Sequence, residues 1–224
     1  MTQSGSYIMP ETDPQAIGPV VVETLRLGRH ELRLARPAAP ERLLDLGEVA
    51  DAYDADEYMP YWATLWPVAR YLAEVILEEP WARPGMSAIE LGCGLGLPGV
   101  AALKAGLAVT FSDYDATALK FSAESARLNG LTAAGLVALD WRCPLATRFD
   151  VILGSDLIYE ARNLAPVIAL FEAMLAPGGL VLLADQNRAN AESFKEALTR
   201  AGFVYKLRAF AGEVPGTVYW IRRP

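Results

Sequence analysis

Histidine and cysteine are nearly missing from this sequence: of 224 residues, one is histidine and two are cysteine. His30, Cys93 and Cys143 do not reproduce the ligand spacing of a zinc site, so no metal is expected. A Cys–His nucleophilic pair is formally available, but His30 falls in a hairpin-like stretch with no catalytic company. A surface histidine and buried thiols are the expectation. So few cysteines also fit a reducing compartment. Positive charge is short as well, with 20 Lys and Arg against 27 Asp and Glu, a net charge of −7. Such a chain repels a phosphate backbone, and its basic residues are scattered, the terminal pair Arg222 and Arg223 being too short to form a patch. Nucleic acid is therefore not an expected partner, and neutral or cationic partners fit better. Long apolar runs are absent too: none reaches the roughly 20 residues that cross a bilayer. The opening MTQSGSYIMPETDPQ has neither the basic nor the apolar region of a secretory signal. A soluble, cytoplasmic protein with no membrane partner is expected.

What is present is apolar mass. The chain is 53% hydrophobic and 21% charged, which excludes wholesale disorder, and its length suits one domain or a domain with an appendage. Residues 1–17 read as a loose tail. Two apolar runs, Val20–Leu27 and His30–Leu34, flank Gly28 and Arg29, which is hairpin chemistry. Glu41–Ala52 carries helical spacing. An aromatic, acidic stretch from Tyr53 follows, entering a helix at Pro67 that runs to about Glu79.

From Met86 the pattern changes to strand and helix in alternation. Strands are expected at 87–91, 107–112, 135–139, 149–153 and 180–184. Helices are expected at 97–105, 115–129, 163–175 and 190–200, with Asn190 as a cap. Two closing strands, 203–210 and 217–222, have no helix between them. Apolar strands separated by helices mean a parallel sheet covered on both faces. The expected fold is thus α/β: a Rossmann-like, seven-stranded, mostly parallel sheet with an antiparallel C-terminal hairpin. Residues before about 86 read as an N-terminal extension packed on this core.

Chemistry-bearing residues cluster where strands end. Glu90-Leu-Gly-Cys-Gly-Leu-Gly-Leu-Pro-Gly99 occupies the first strand-to-helix turn. Glycines there let a backbone approach a ligand, and the helix N-terminus offers free N–H groups. Gly94, Gly96 and Gly99 match the dinucleotide pattern, with Asp113 at 113 − 94 = 19 residues. The register is wrong, however, because counting from Gly92 puts leucine at 97. Counted from Gly92 the loop reads Gly-x-Gly-x-Gly preceded by Glu90, the S-adenosylmethionine pattern. Asp113 ends the second strand, where a carboxylate can accept two ribose hydroxyls; Asp115 is better placed as a helix cap. Asp140 and Trp141 follow the third strand, an acid for an amine and an indole to cover a ring. Ser155, Asp156 and Tyr159 follow the fourth.

On these residues the chain resembles the class I, seven-strand S-adenosylmethionine-dependent methyltransferases. It is similar to the branch holding the electron-transfer-flavoprotein and chaperone lysine methyltransferases, with nicotinamide N-methyltransferase-like enzymes nearby. Tyr61 to Pro67, the glycine loop, Asp140-Trp141, Asp156 to Tyr159 and Ala176-Pro-Gly-Gly179 carry the likeness, from about residue 55 onward. The resemblance implies an extension over 1–60 and a methyltransferase domain over 61–224. Glu90, Gly92, Gly94 and Gly96 would hold the methionine moiety of the cofactor, Asp113 and Tyr114 its ribose side, and Asp140 and Trp141 its adenine. Trp66 and Ser155 would lie beside it. Asp156 and Tyr159 would face the acceptor amine as catalytic residues. S-adenosyl-L-homocysteine would be the product, with no metal, and the enzyme a monomer.

The implied activity is N-methylation, foremost of a protein lysine. A small-molecule N- or O-methyltransferase is the alternative, and residues 41–66 are long enough to serve as its lid. A non-catalytic cofactor-binding module and an NAD-dependent oxidoreductase are the weaker readings.

Overall fold

Period-two burial on two faces at once dictates the centre of the molecule. The computed structural model describes Met9 and residues 12–78, 82–212 and 214–224. Chain order runs α1 (Pro14–Ile17), β1 (Val20–Leu27), β2 (His30–Pro37), α2 (Gly47–Asp56), α3 (Pro67–Glu78), β3 (Ser87–Leu91), α4 (Leu97–Lys104) and β4 (Ala108–Asp113). It continues through α5 (Ala116–Leu128), β5 (Gly135–Ala138), β6 (Phe149–Ser155), α6 (Leu164–Met174), β7 (Leu175–Asp185), α7 (Ala191–Arg200), β8 (Val204–Phe210) and β9 (Gly216–Arg222). Along β6, Val151 and Leu153 enter one apolar layer and Ile152 the other; along β7, Leu180 and Leu182 alternate likewise with Val181 and Leu183. A strand buried on both sides needs helices on both sides. α3, α4 and α5 cover one face, and α6 and α7 the other.

The sheet order is β5-β4-β3-β6-β7-β9-β8. The first five strands are parallel, and β9 runs antiparallel to both β7 and β8. From β3 the chain builds outward through β4 and β5, then returns to the other side of β3 for β6 and β7. Connections therefore diverge between β3 and β6, and the crevice beyond their carboxyl ends is where such sheets take ligands.

The expected architecture is present, with local differences that have causes. The tail is docked where it is described. Met9 is 2% exposed, its N–H donates to the Tyr114 carbonyl at 3.1 Å, and Thr12 N–H donates to Thr117 Oγ1 at 2.9 Å. The β1–β2 hairpin sits against α5 through Leu32, Leu34 and a bond from Ala35 N–H to Ser125 Oγ of 3.1 Å. Residues 41–52 are not one helix: a 3₁₀ segment, Pro40–Asp45, stops at extended Leu46, and α2 starts anew. Ala176 to Gly179 is a bulge inside β7, since Leu175 pairs with Phe149 and Leu180 with Val151. Asn190 occupies the cap position of α7 without capping; its amide donates to the Ile158 carbonyl at 2.9 Å. Cys93 is buried as expected, but Cys143 is exposed. Glu79, the expected end of α3, lies outside the described residues. Among the described residues no helix is long and apolar enough to cross a membrane.

Candidate active site

A cavity of about 540 Å³ opens at the carboxyl ends of β3, β4 and β6, with residues 56–66 forming its outer wall. Its floor is the loop between β3 and α4. Gly92, Gly94 and Gly96 have φ of +58°, +50° and +83°, a left-handed conformation that side chains resist. Space is short as well: a Cβ at Gly92 would lie 3.0 Å from the Trp141 ring, and one at Gly94 would lie 3.2 Å from the Trp62 carbonyl oxygen. The loop can follow this path only with glycine at these three positions, and all three line the cavity.

Two buried carboxylates brace that loop. Asp113 Oδ2 accepts from Gly94 N–H at 2.8 Å and its Oδ1 from Asp115 N–H at 3.0 Å. Burial pushes its pKa up to about 6, against the pull of those N–H groups. Asp113 lies on the cavity wall, and each oxygen keeps a lone pair for a further donor. Glu90 is 1% exposed and stands beneath the loop, outside the cavity wall, accepting from Gly99 N–H at 2.9 Å. Burial pushes its carboxyl well up. Glu90, expected beside the methionine portion of the cofactor, holds the start of α4 through that bond. Asp115 caps α5 by accepting from Thr117 N–H at 2.6 Å, and the Tyr58 hydroxyl donates to its other oxygen.

The walls carry the remaining expected residues. Trp141 packs over Gly92, and Tyr114 lines the cavity with its pKa pushed up to about 12 by burial and the Asp56 carboxylate. Asp140 is 4% exposed. Burial opposes its charge, but Arg142, which forks onto both oxygens at 2.8–3.0 Å, brings the pKa below the usual carboxylate range. Ser155 lines the far side. Asp156 follows it with φ +54°, an uncommon left-handed residue of the kind that gathers at functional sites. Gln186 donates to Asp156 from its amide side chain and from its backbone, the latter at 3.3 Å. Tyr159 stands edge-on to Tyr61 at 5.5 Å between centroids, and Tyr61 edge-on to Trp66 at 5.7 Å. Burial, then Glu160 and Tyr61, push the Tyr159 hydroxyl up to about 12.

Several wall residues were not anticipated. Arg142 pairs with Asp56 at 3.0 Å, and Arg162 with Glu57 at 3.0 Å, so the end of α2 is tied to the loops after β5 and β6. Arg188, from the loop after β7, reaches Asp156 at 3.3 Å and lies 5.5 Å from the centre of the Trp66 ring. The cue for Arg188 was its place: Asp185 to Arg188 follows a strand ending on the same side of the sheet. The Arg142 and Arg162 pairs with α2 had no cue, because their partners are about 90 to 105 residues away in sequence. Carboxylates at 56, 57, 113, 140, 156 and 160 face guanidiniums at 142, 162 and 188, so the wall is net acidic.

This donor set suits S-adenosylmethionine. The close-approach glycine floor, a carboxylate for hydroxyls, an acid and an indole for a heteroaromatic amine, and the space to hold them share one cavity. No group of three or more His, Cys, Asp or Glu among the described residues is arranged for a metal ion.

Proteins similar to this chain are methyltransferases. Histone-arginine methyltransferase METTL23 of Rattus norvegicus is 31% identical over 120 residues, 50% of this chain and 53% of its own. The electron transfer flavoprotein beta subunit lysine methyltransferase of the same species is 30% identical over 132 residues, 58% of this chain and 51% of its own. The chain spans about half the length of the curated relatives it matches. In the solved structure of magnesium protoporphyrin IX methyltransferase from Synechocystis PCC 6803 with bound S-adenosylmethionine, 79% of this chain and 95% of that one superpose with a TM-score of 0.60 at 14% identity, a likeness of fold. The profile of the family described as lysine methyltransferase matches residues 61–200. With the match covering more than half of its length, this chain belongs to the lysine methyltransferase family.

Proposed function

We propose that the protein is an S-adenosylmethionine-dependent N-methyltransferase whose acceptor is a nitrogen on a protein side chain, foremost lysine. One observation carries the reading: the glycine floor, Asp113 and Asp156 meet on a single acidic cavity at the switch point of the sheet. Gly92, Gly94 and Gly96 would lie along the methionine portion, Asp113 and Tyr114 on the ribose side, and Asp140 and Trp141 around the adenine. Trp66 and Ser155 would close the sides. When bound, S-adenosylmethionine supplies an electrophilic methyl group on a sulfonium.

The chain's own task is then to present a neutral nitrogen in line. A lysine amine is protonated at pH 7, with an ordinary pKa near 10.4. Desolvation against Tyr61, Tyr159 and Trp66 favours loss of that proton. Asp156 orients the nitrogen by accepting from it. Because a carboxylate favours the charged amine, Asp156 serves position ahead of basicity, and positioning carries a large share of such barriers. Glu90 would act through the loop, by fixing Gly99. We assign the catalytic domain to residues 61–224 and treat 1–60 as an extension, in a monomeric cytoplasmic enzyme without a nucleic-acid or membrane partner.

A second reading, a small-molecule acceptor, is favoured by the ion pairs that fasten Asp56 and Glu57, on the cavity wall, to Arg142 and Arg162, as a lid over the acceptor would need. Calorimetry with S-adenosylmethionine and with NAD tests the cofactor, comparable NAD binding counting against the proposal. Tritiated S-adenosylmethionine incubated with lysate tests the acceptor: a labelled protein band supports a protein substrate, and label confined to small molecules supports the second reading.

A further inference from the structure

Asp156, a carboxylate 6% exposed, and the indole of Trp66 line the same cavity, and a carboxylate with an aromatic face is what an organic cation needs. Both are engaged by the same group. The Arg188 guanidinium lies 5.5 Å from the Trp66 ring centre, and its Nε–H donates to Asp156 Oδ1 at 3.3 Å. We propose that Arg188 is an internal stand-in for the cationic acceptor, and that the acceptor's ammonium binds by displacing it. This rests on the methyltransferase reading for the identity of the acceptor, but the exchange of one cation for another stands on the geometry alone.

Three features make the exchange feasible. The Arg188 contact is end-on through one nitrogen and 3.3 Å long, where charge-assisted pairs draw to about 2.7–2.9 Å and arginine prefers a two-pronged grip. By contrast, Arg142 forks onto Asp140 at 2.8–3.0 Å and is fastened on the same wall. Arg188 hangs from the short segment between β7 and α7, and its side chain is 31% exposed. Asp156 is held independently by Gln186, through the amide side chain and the backbone N–H. The carboxylate therefore stays in place when Arg188 leaves, and the buried charge passes from one cation to another without being left bare, which would be costly. Tyr61 and Tyr159 complete the apolar surround.

An internal competitor weakens apparent affinity by the fraction of time it occupies the site; occupancy nine-tenths of the time costs about tenfold. Butylammonium, which has the lysine side chain's four carbons and amine, is the probe, titrated calorimetrically into the full chain without cofactor. Arg188→Gln is expected to bind it about tenfold more tightly than the wild type. Arg188→Lys keeps a cation and is expected to bind as the wild type does. Adding Asp156→Asn to Arg188→Gln is expected to abolish the gain. In the unsubstituted protein, the Nε–H resonance of Arg188, assigned by its loss in Arg188→Lys, is expected to shift towards that of a solvated arginine as butylammonium is added. Unchanged or weaker binding in Arg188→Gln, or an unmoved Nε–H signal at saturating butylammonium, overturns the proposal. The methyltransferase reading fails separately, by absence of S-adenosylmethionine binding in the same unsubstituted protein.

Discussion

Asp113 makes cofactor affinity depend on pH in a calculable way. Its carboxyl titrates in the folded chain at about 6, raised from 3.8, with burial the leading cause. A raised acid binds its proton more tightly folded than unfolded, so it stabilises the folded chain at low pH, and that contribution is lost as pH rises from about 4 to about 6. The loss is on the order of 3 kcal/mol, at 1.36 kcal/mol for each of about two units. At neutral pH the protein therefore holds a desolvated carboxylate on its cavity wall, partly compensated by backbone N–H groups. A ligand bringing two hydroxyls supplies further donors and binds the ionised form. With a value of about 6, the ionised fraction falls from about nine in ten at pH 7 to about one in eleven at pH 5. Affinity for S-adenosylmethionine should fall about tenfold across that interval, about 1.4 kcal/mol. The ligand's own amine and carboxylate keep their charges there. Calorimetric titrations at half-unit steps measure the slope. Asp113→Asn should flatten it and also lower affinity throughout. The amide has one oxygen for two N–H donors, those of Gly94 and Asp115, a cost of about 1–3 kcal/mol. It also removes the buried charge and its cost on the order of 3 kcal/mol, so stability at neutral pH should change little. A flat wild-type profile, or the same slope retained in the asparagine variant, refutes the assignment of Asp113 as the hydroxyl acceptor.

Other substitutions separate floor, cap and acceptor side. Gly94→Ala forces a side chain into φ +50° with its Cβ 3.2 Å from the Trp62 carbonyl oxygen, and should lower S-adenosylmethionine affinity tenfold or more by calorimetry while the circular dichroism spectrum stays folded. Asp115→Ala removes the cap of α5 and the acceptor for the Tyr58 hydroxyl; it should cost about 2 kcal/mol and lower Tm by roughly 4–8 °C in a melting scan, whereas an unchanged Tm would deny the cap any weight. Asp156→Asn keeps shape and removes charge. Turnover on the identified acceptor should fall on the order of a hundredfold with cofactor affinity within about threefold, and near-normal turnover would move catalysis to the aromatic stretch Tyr58 to Trp66.

The parts of the fold that sequence pattern reveals are those set by local periodicity. β3 falls at 87–91 as expected, and α4 and α5 within a residue or two, because apolar runs, glycine stops and an Asp115 cap are all local signals. The failures share a cause. Residues 41–52 carry helical spacing, but Leu43 is buried before Leu46 turns extended, so tertiary burial overrides periodicity and splits the segment. Asn190 has the chemistry of a cap, yet the Ile158 carbonyl, 32 residues away, takes its amide. Nothing in the polar opening residues announces that Met9 bridges to Asp115, 106 positions on.

At the candidate site the same division applies to charge. Acids at strand ends are visible as acids, and position in the sheet places Asp113, Asp140 and Asp156 on one cavity. What pattern alone does not resolve is which way a carboxylate at the first strand-to-helix turn faces. Glu90 precedes the glycine loop, but it is followed by a helix start with free N–H groups, and the Gly99 N–H claims it from below. The packing explains the preference: a Cβ at residue 99 would lie 2.4 Å from Glu90 Oε2 and 2.3 Å from the Phe111 ring, so the glycine at 99 exists to let acid and helix meet. The cations escape notice for the opposite reason. Arg142, Arg162 and Arg188 stand in ordinary loop sequence, and each acquires meaning only from an acid or an indole brought to it by the fold. A wall of six carboxylates would repel itself unless such guanidiniums were interleaved. Of the three, Arg188 is held by the longest contact, and it is the one beside the residues proposed to receive the substrate.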